Sequence, residues 1–224
     1  MNIQAILFMC NDFSRANFVL DNFCKHNPDI PITTINSGGE PPEKHLNKYD
    51  QNTIINCEDL WHKGTHCGRG GFGLKYVEKL FEFGLNKRFT HTLYLETDVL
   101  TNSKITQCPK YDLSGVFVTC GPKENFLWKY FNIKDNHYHT GCGGTIFSYT
   151  FFDTIYSNYY HLFYDVFKKF PENFYVDLII TLIARYANLT VGPWEEVSDL
   201  RSYWNGNVFV PGNSKNTLVH GYKI

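Results

Sequence analysis

Residues 4–36, QAILFMCNDFSRANFVLDNFCKHNPDIPITTIN, decide the fold class of this chain. They open with an almost unbroken apolar run from Gln4 to Cys10, which is typical of a strand buried on both faces of a parallel sheet. Asn11 to Ser14 then supply capping side chains for a helix with an apolar stripe, which ends before two prolines. Ile32 to Asn36 follow as a second strand. Strand, helix and strand in this order form a βαβ unit, which predicts an α/β fold with right-handed crossovers.

The rest of the chain continues the alternation of helices and strands. Helices are predicted over residues 70–84, 151–170 and 177–186, and strands at Ile54-Ile55, Thr90–Leu95, Leu113–Cys120 and Gly143–Tyr149. We expect the first strand at the centre of the sheet and the last two helices in the core. The tail from Leu189 is rich in Gly, Pro and Asn, so we expect it to consist mainly of loops.

The composition indicates a globular protein. The chain has 224 residues, of which 43% are hydrophobic, and 21 Lys and Arg balance 22 Asp and Glu. A chain of this size folds as one domain, for which we expect the bounds 1–224. A net charge of -1 without a basic stripe argues against binding of nucleic acid through its phosphates.

The location of the protein follows from its apolar runs and its cysteines. The longest apolar run, Ala5 to Cys10, is far shorter than the roughly 20 residues that a membrane span needs. No basic segment precedes this run, so it does not resemble a secretory signal. The seven cysteines are scattered without the spacing of a disulfide framework, which favours a reducing compartment. We therefore expect a cytoplasmic protein without a membrane span.

Two carboxylates follow the apolar strand Leu93-Tyr-Leu, in the sequence Glu96-Thr97-Asp98. Residues two apart in an extended chain point the same way, so Glu96 and Asp98 can face one crevice at the carboxyl end of the strand. Oxygen ligands of this kind hold Mg²⁺ or Mn²⁺. The alternative is that both acids are solvated and merely start the next turn.

A second candidate segment is Gly68-Arg-Gly-Gly-Phe-Gly73, which has the spacing of a dinucleotide-binding loop. The residues before it do not have the sequence pattern of a strand, so that interpretation fails in its context. The helix that starts here could instead meet a diphosphate through its amino terminus, Arg69 and Lys75. An ordinary helix start is the alternative.

The order of these parts resembles the GT-A-fold glycosyltransferases that use nucleotide-diphospho-sugars. In that family the first βαβ unit binds the nucleotide and an acidic D-x-D motif follows about 90 residues into the chain; here its first acid is Glu. The resemblance implies a mostly parallel, mixed Rossmann-type sheet flanked by helices. It implies that Asp98 ligates Mn²⁺ or Mg²⁺ and that Glu96 contacts ribose or the metal shell. The implied nucleotide-binding residues also include Cys10, Asn11, Asn36, Ser37 and Thr97.

Three later segments fit the same family template. The Gly-rich turn from His139 to Gly144 resembles the acceptor side of such sites, where glycine lets a sugar approach the backbone. Asp177, before a buried helix, is the implied general base that deprotonates the acceptor hydroxyl, with Glu172 as the competing candidate. The C-terminal segment implies His220 as a metal ligand and Lys223 as a diphosphate contact.

The resemblance therefore implies a metal-dependent enzyme of glycan biosynthesis. It would transfer a hexosyl or pentosyl group from a nucleotide-diphosphate sugar to a carbohydrate hydroxyl. The family resemblance favours uridine as the nucleoside of this donor. Two alternatives stay open: a nucleotidyltransferase that makes nucleotide sugars, and a catalytically inactive carbohydrate-binding module of the same fold. The donor sugar, the acceptor, inversion or retention, and the oligomeric state lie beyond the sequence.

Overall fold

The computed structural model describes residues 1–37, 40–57, 71–116, 125–134, 143–170, 176–199, 203–205, 208–210 and 215–221. The helices are α1 (Phe13–His26), α2 (Gly71–Gly84), α3 (Asn125–Tyr130), α4 (Tyr149–Asn158), α5 (His161–Lys169) and α6 (Val176–Tyr186). The strands are β1 (Ile3–Met9), β2 (Ile32–Asn36), β3 (Asn52–Asn56), β4 (His91–Leu95), β5 (Leu100–Thr101), β6 (Leu113–Gly115), β7 (Ile146–Ser148), β8 (Val191–Pro193), β9 (Val197–Asp199), β10 (Tyr203–Asn205), β11 (Val208–Val210) and β12 (Leu218–His220).

Seven strands form the main sheet in the order β3-β2-β1-β4-β7-β6-β8. β7 runs antiparallel to both of its neighbours, and the other four pairings are parallel. The predicted mixed, mostly parallel sheet is therefore confirmed. The expected position of the first strand needs a correction, because β4 occupies the centre and β1 lies beside it.

β1 divides the core into two halves because its side chains alternate between the faces of the sheet. Ile6 and Phe8 pack with the hydrophobic residues of α2, α4, α5 and α6. Ala5, Leu7 and Met9 pack with α1 on the opposite face. All seven residues of β1 are buried, as its apolar run predicts. Helices thus flank the sheet on both sides.

The predicted helix over residues 151–170 is two helices, with a break at Tyr159 and Tyr160. The break has a packing reason, since Phe152 of α4 and Phe163 of α5 both contact the ring of Phe81, at centroid distances of 5.2 and 5.8 Å. Residues 11 apart in one straight helix are separated by about 16 Å along its axis. Both side chains therefore reach Phe81 only because the chain changes direction.

The described residues of the tail from Leu189 include five short strands, β8 to β12, where the sequence predicted mainly loops. Each has three residues, which is too short for a periodic pattern to be recognised. Two other predicted strands are shorter than expected. The strand at Leu113 ends at Gly115, with residues 117–120 outside the described part, and the strand at Gly143 begins only at Ile146.

Within the described ranges, none of the helices has the length and hydropathy of a bilayer span. Four cysteines of these ranges carry unpaired thiols: Cys10, Cys24, Cys57 and Cys108. The cytoplasmic location and the single domain over residues 1–224 stay predictions.

Candidate metal centre

The acidic motif directly follows the carboxyl end of β4, the central strand of the sheet. Leu95 and Val99 are fully buried on either side of it, and the Val99 amide closes a turn on the Glu96 carbonyl at 3.2 Å. The apolar neighbours anchor this turn and leave the side chains of Glu96 and Asp98 32% and 31% exposed. Both carboxylates are therefore held half-buried at the carboxyl edge of the sheet, where α/β folds bind ligands.

A small second sheet, β5-β12-β9, brings the C-terminal segment to this edge. β5 directly follows the acidic turn, and β12 pairs antiparallel with it, so that Val219 lies opposite Leu100. The next residue of β12 is His220, whose side chain is completely buried. Its Nε2 atom lies 2.6 Å from Glu96 Oε2 and 3.2 Å from Asp98 Oδ1. Residues 124 positions apart in sequence thus share one site.

Protein donors hold the Glu96 carboxylate from three sides. The Tyr94 hydroxyl donates to Oε1 at 2.7 Å, while the Gly143 amide donates to Oε2 at 3.2 Å. Burial raises the pKa of Glu96, but the His220 imidazole and these two donors outweigh it and hold the pKa below its ordinary value. Glu96 is therefore an anionic carboxylate that hydrogen bonds from the protein hold in place.

The residues of this site fit a divalent cation. One nitrogen of His220 and one oxygen each of Glu96 and Asp98 all lie within 4.8 Å of one another. Asp98 Oδ1 is buried, and apart from the 3.2 Å approach of His220 Nε2 it accepts no hydrogen bond from the described residues, so a cation would supply a partner that this oxygen lacks. Two carboxylates with one imidazole are a ligand set suited to Mn²⁺ or Mg²⁺. Solvated strand-end acids would not converge on a buried imidazole.

Gly143 and Gly144 let the chain pass close behind the acidic turn. A Cβ atom at Gly143 would meet Val99 Cγ2 at 2.5 Å and the Glu96 backbone nitrogen at 3.0 Å. Gly144 has a φ of 94°, which favours glycine, and its amide donates to the Tyr94 carbonyl at 2.7 Å. Close packing within the protein therefore requires both glycines, and the expected contact of this turn with a sugar stays a prediction. Residues 139–142 lie outside the described part.

The residues expected to bind the nucleotide meet at the ends of β1 and β2. The Asn11 amide, in a backbone with φ of 49°, donates to Asn36 Oδ1 at 2.9 Å. The Ser37 amide and hydroxyl both donate to the Met9 carbonyl at 3.0 Å. Asn36 and Ser37 are buried at the strand ends, and their expected contact with the nucleotide stays a prediction. Asn11 is partly exposed and Cys10 is exposed, and these two remain accessible.

The structure describes some of the other predicted site residues but not all of them. Thr97 is partly exposed between the two acids, and Lys75 is exposed on α2. Asp177 lies in the first turn of α6 and does not belong to the metal cluster. α6 leads into β8, which has the direction of β4, so its first turn faces the same sheet edge. Three predicted residues lie outside the described part: Arg69, Glu172 and Lys223.

Sequence reasoning missed two contributors to the site, Tyr94 and the amide of Gly143. A signal for Tyr94 was present, because a residue two positions before Glu96 on a strand lies on the same side. The Gly143 amide had none, since its contact is formed only by the fold. Trp128 and Trp194 are 3% and 4% exposed, so they pack in the core and offer no stacking surface to a sugar.

The sequence matches no protein-family model and no curated protein at a significant level. Solved structures do match, with 274 chains significantly similar. One is the galactosyltransferase LgtC, crystallised in complex with donor and acceptor sugar analogues. It aligns with a TM-score of 0.56 at 12% sequence identity, over 98% of this chain and 86% of that chain. This similarity confirms the expected GT-A fold.

Proposed function

We propose that this chain is a metal-dependent glycosyltransferase. Its donor is a nucleotide-diphosphate sugar, with uridine as the expected nucleoside, and its acceptor is a hydroxyl group of a carbohydrate. The observation that carries the proposal is the convergence of Glu96, Asp98 and His220 at the ligand-binding edge of a GT-A fold. LgtC, which shares this fold, is a galactosyltransferase solved with donor and acceptor analogues.

The metal site explains how the proposed transfer would be catalysed. Asp98 and His220 would hold Mn²⁺ or Mg²⁺ together with Glu96, and the bound ion would offset charge on the leaving diphosphate. Half-burial of both carboxylates keeps the ligands ordered while one side of the site remains open to a substrate. A donor sugar placed there would lie at the carboxyl ends of β1 and β4, beside Asn11 and Cys10.

The remaining residues are assigned by their place in the fold. Thr97 and the ends of β1 and β2 line the nucleotide side, and Lys75, Arg69 and Lys223 are proposed cationic partners of the diphosphate. Asp177 is the proposed general base, since α6 begins at the same sheet edge, and Glu172 is its competitor. We propose a cytoplasmic location for the enzyme.

Thermal unfolding with a panel of nucleoside diphosphates and nucleotide sugars tests this function. Each ligand is measured with Mn²⁺ and with chelator, on the wild type and Asp98→Asn. A ligand at a hundred times its Kd stabilises the folded state by about 2.7 kcal/mol, which raises Tm by roughly 5–10 °C at this length. Asp29→Asn is the matched control, because its side chain is 83% exposed.

We expect a Mn²⁺-dependent shift with one nucleotide, present in the control and absent in Asp98→Asn. Donor hydrolysis under the same conditions would distinguish the enzyme from an inactive carbohydrate-binding module. Nucleoside triphosphates are added to the panel for the alternative function, and a shift with one of them, accompanied by pyrophosphate release, would assign the site to a nucleotidyltransferase. Equal shifts in chelator and in Mn²⁺ would remove the metal from the proposal.

A further inference from the structure

The two oxygens of Glu96 have different partners. Oε2 accepts the Gly143 amide at 3.2 Å and faces the proposed cation site, because it lies 2.6 Å from His220 Nε2. Oε1 accepts the Tyr94 hydroxyl at 2.7 Å. The two oxygens of a carboxylate are equivalent in chemistry, so this division of roles is imposed by the surrounding protein.

Tyr94 is itself fixed in place. Its side chain is buried, and its ring packs against those of Phe8 and Tyr76 at centroid distances of 5.9 and 5.7 Å. Its backbone is held as well, because the Tyr94 amide donates to the Thr145 carbonyl at 2.8 Å and its carbonyl accepts from Gly144. A hydroxyl on so restrained a ring offers Glu96 Oε1 one direction for its hydrogen bond.

We infer that Tyr94 is a positioning residue of the cation site. By engaging Oε1, its hydroxyl leaves Oε2 as the single ligand atom of Glu96, so that this carboxylate binds through one oxygen. The inference rests on the proposed metal-dependent function. Outer hydrogen bonds of this kind orient ligands, and their loss weakens metal binding by about 10- to 100-fold.

Binding through a single oxygen of Glu96 affects which cations the site prefers. Mg²⁺ and Mn²⁺ prefer six ligands in a compact octahedral arrangement, whereas Ca²⁺ takes up to eight and readily accepts both oxygens of a carboxylate. A Glu96 released from Tyr94 can turn both oxygens toward the ion. Tyr94 therefore biases the site toward the smaller ions, and a residue that only filled space would not.

The test is Tyr94→Phe, which keeps the ring and removes the hydroxyl. Tyr76→Phe is the matched control, because it removes a hydroxyl from the same aromatic cluster and keeps the hydrogen bonds of Glu96 with Tyr94, Gly143 and His220. Mn²⁺ affinity is measured by electron paramagnetic resonance, and Mg²⁺ and Ca²⁺ affinities by competition with Mn²⁺. Tm in chelator is recorded for each protein.

We expect Tyr94→Phe to lose about 10- to 100-fold in Mn²⁺ and Mg²⁺ affinity and distinctly less in Ca²⁺ affinity. Tyr76→Phe should keep the wild-type order of ions. Unchanged affinities in Tyr94→Phe, or equal losses for all three ions, would overturn the positioning role while leaving the metal site intact. Failure of the wild type to bind Mn²⁺ would instead overturn the proposed metal-dependent function, and this inference with it.

Discussion

At the scale of single residues, the position of Asp177 allows the acid–base step of the proposed reaction to be tested independently of metal binding. It lies in the first turn of α6 and is partly buried, outside the cluster of Glu96, Asp98 and His220. An acid in the first turn is also favoured by the helix dipole, which would make it purely structural. The two roles differ in what they do to turnover.

We expect Asp177→Asn to lower kcat by about 10²- to 10⁴-fold, the usual contribution of a general base. Donor affinity should change little, because the substitution leaves the metal ligands in place. Steady-state kinetics and donor titration on the same preparation check this. Glu172→Gln is the comparison, and a large loss of kcat there with normal turnover in Asp177→Asn would assign the base to Glu172.

At the scale of elements, Glu196 ties the small sheet together. Its side chain is 3% exposed, and its Oε1 atom accepts the Thr106 and Gln107 amides at 2.8 and 2.6 Å and the Thr106 hydroxyl at 2.9 Å. Its backbone carbonyl accepts the amide of Leu218, the first residue of β12. The loop after β5 and the strand that carries His220 are therefore joined through one residue.

We expect Glu196→Ala to lower the free energy of unfolding by about 1.5–3 kcal/mol, because it removes hydrogen bonds to a charged acceptor. Glu195→Ala, one position earlier, should cost only about 0–1 kcal/mol, since exposed ion pairs contribute little. The Glu195 side chain is 70% exposed and its ion pair with Lys110 spans 3.4 Å. Urea unfolding of both variants measures the difference. Equal losses of unfolding free energy would contradict the role of Glu196 in joining the loop after β5 to β12.

At the scale of the whole molecule, the site joins parts of the chain that the fold alone brings together. The acidic turn follows the central strand of the main sheet, whereas His220 belongs to the second sheet. A cation bound between them links both sheets, so opening either one requires its release. Binding therefore adds its free energy to the local stability of both segments.

Hydrogen exchange measures this linkage. With Mn²⁺ at a hundred times its Kd, we expect amides that exchange through opening of the site to slow by up to about 100-fold. The effect should appear in residues 96–101 and 216–221 together, whereas β3, at the far edge of the main sheet, serves as the internal reference. Asp98→Asn should abolish it. Protection of only one of the two segments would mean that no cation bridges the sheets.

The features that could be predicted from the sequence alone are those with local signals. The apolar run of β1, the stripe of α1 and the β-rich run before Glu96 were predicted as a βαβ unit and a strand. Burial on both faces leaves an unbroken apolar run, and burial on one face leaves a periodic pattern. Glu96 and Asp98 were predicted to share a crevice as alternate residues of an extended chain. They do lie in one cluster, but the segment between them is a turn that the Val99 amide closes on the Glu96 carbonyl. His220 was identified only through the family resemblance.

Other features depend on the tertiary structure, which determines how the candidate residues meet and how deeply each is buried. Asn36 and Ser37, predicted to bind the nucleotide, are buried by the neighbouring strand ends, and nothing in their local sequence reveals that. The break between α4 and α5 depends on where Phe81 lies. The contact of His220 with Glu96 and the closeness of Gly143 depend on pairings across 124 and 47 positions of the chain. Contacts of this range are set by packing and strand register, and a single sequence records neither.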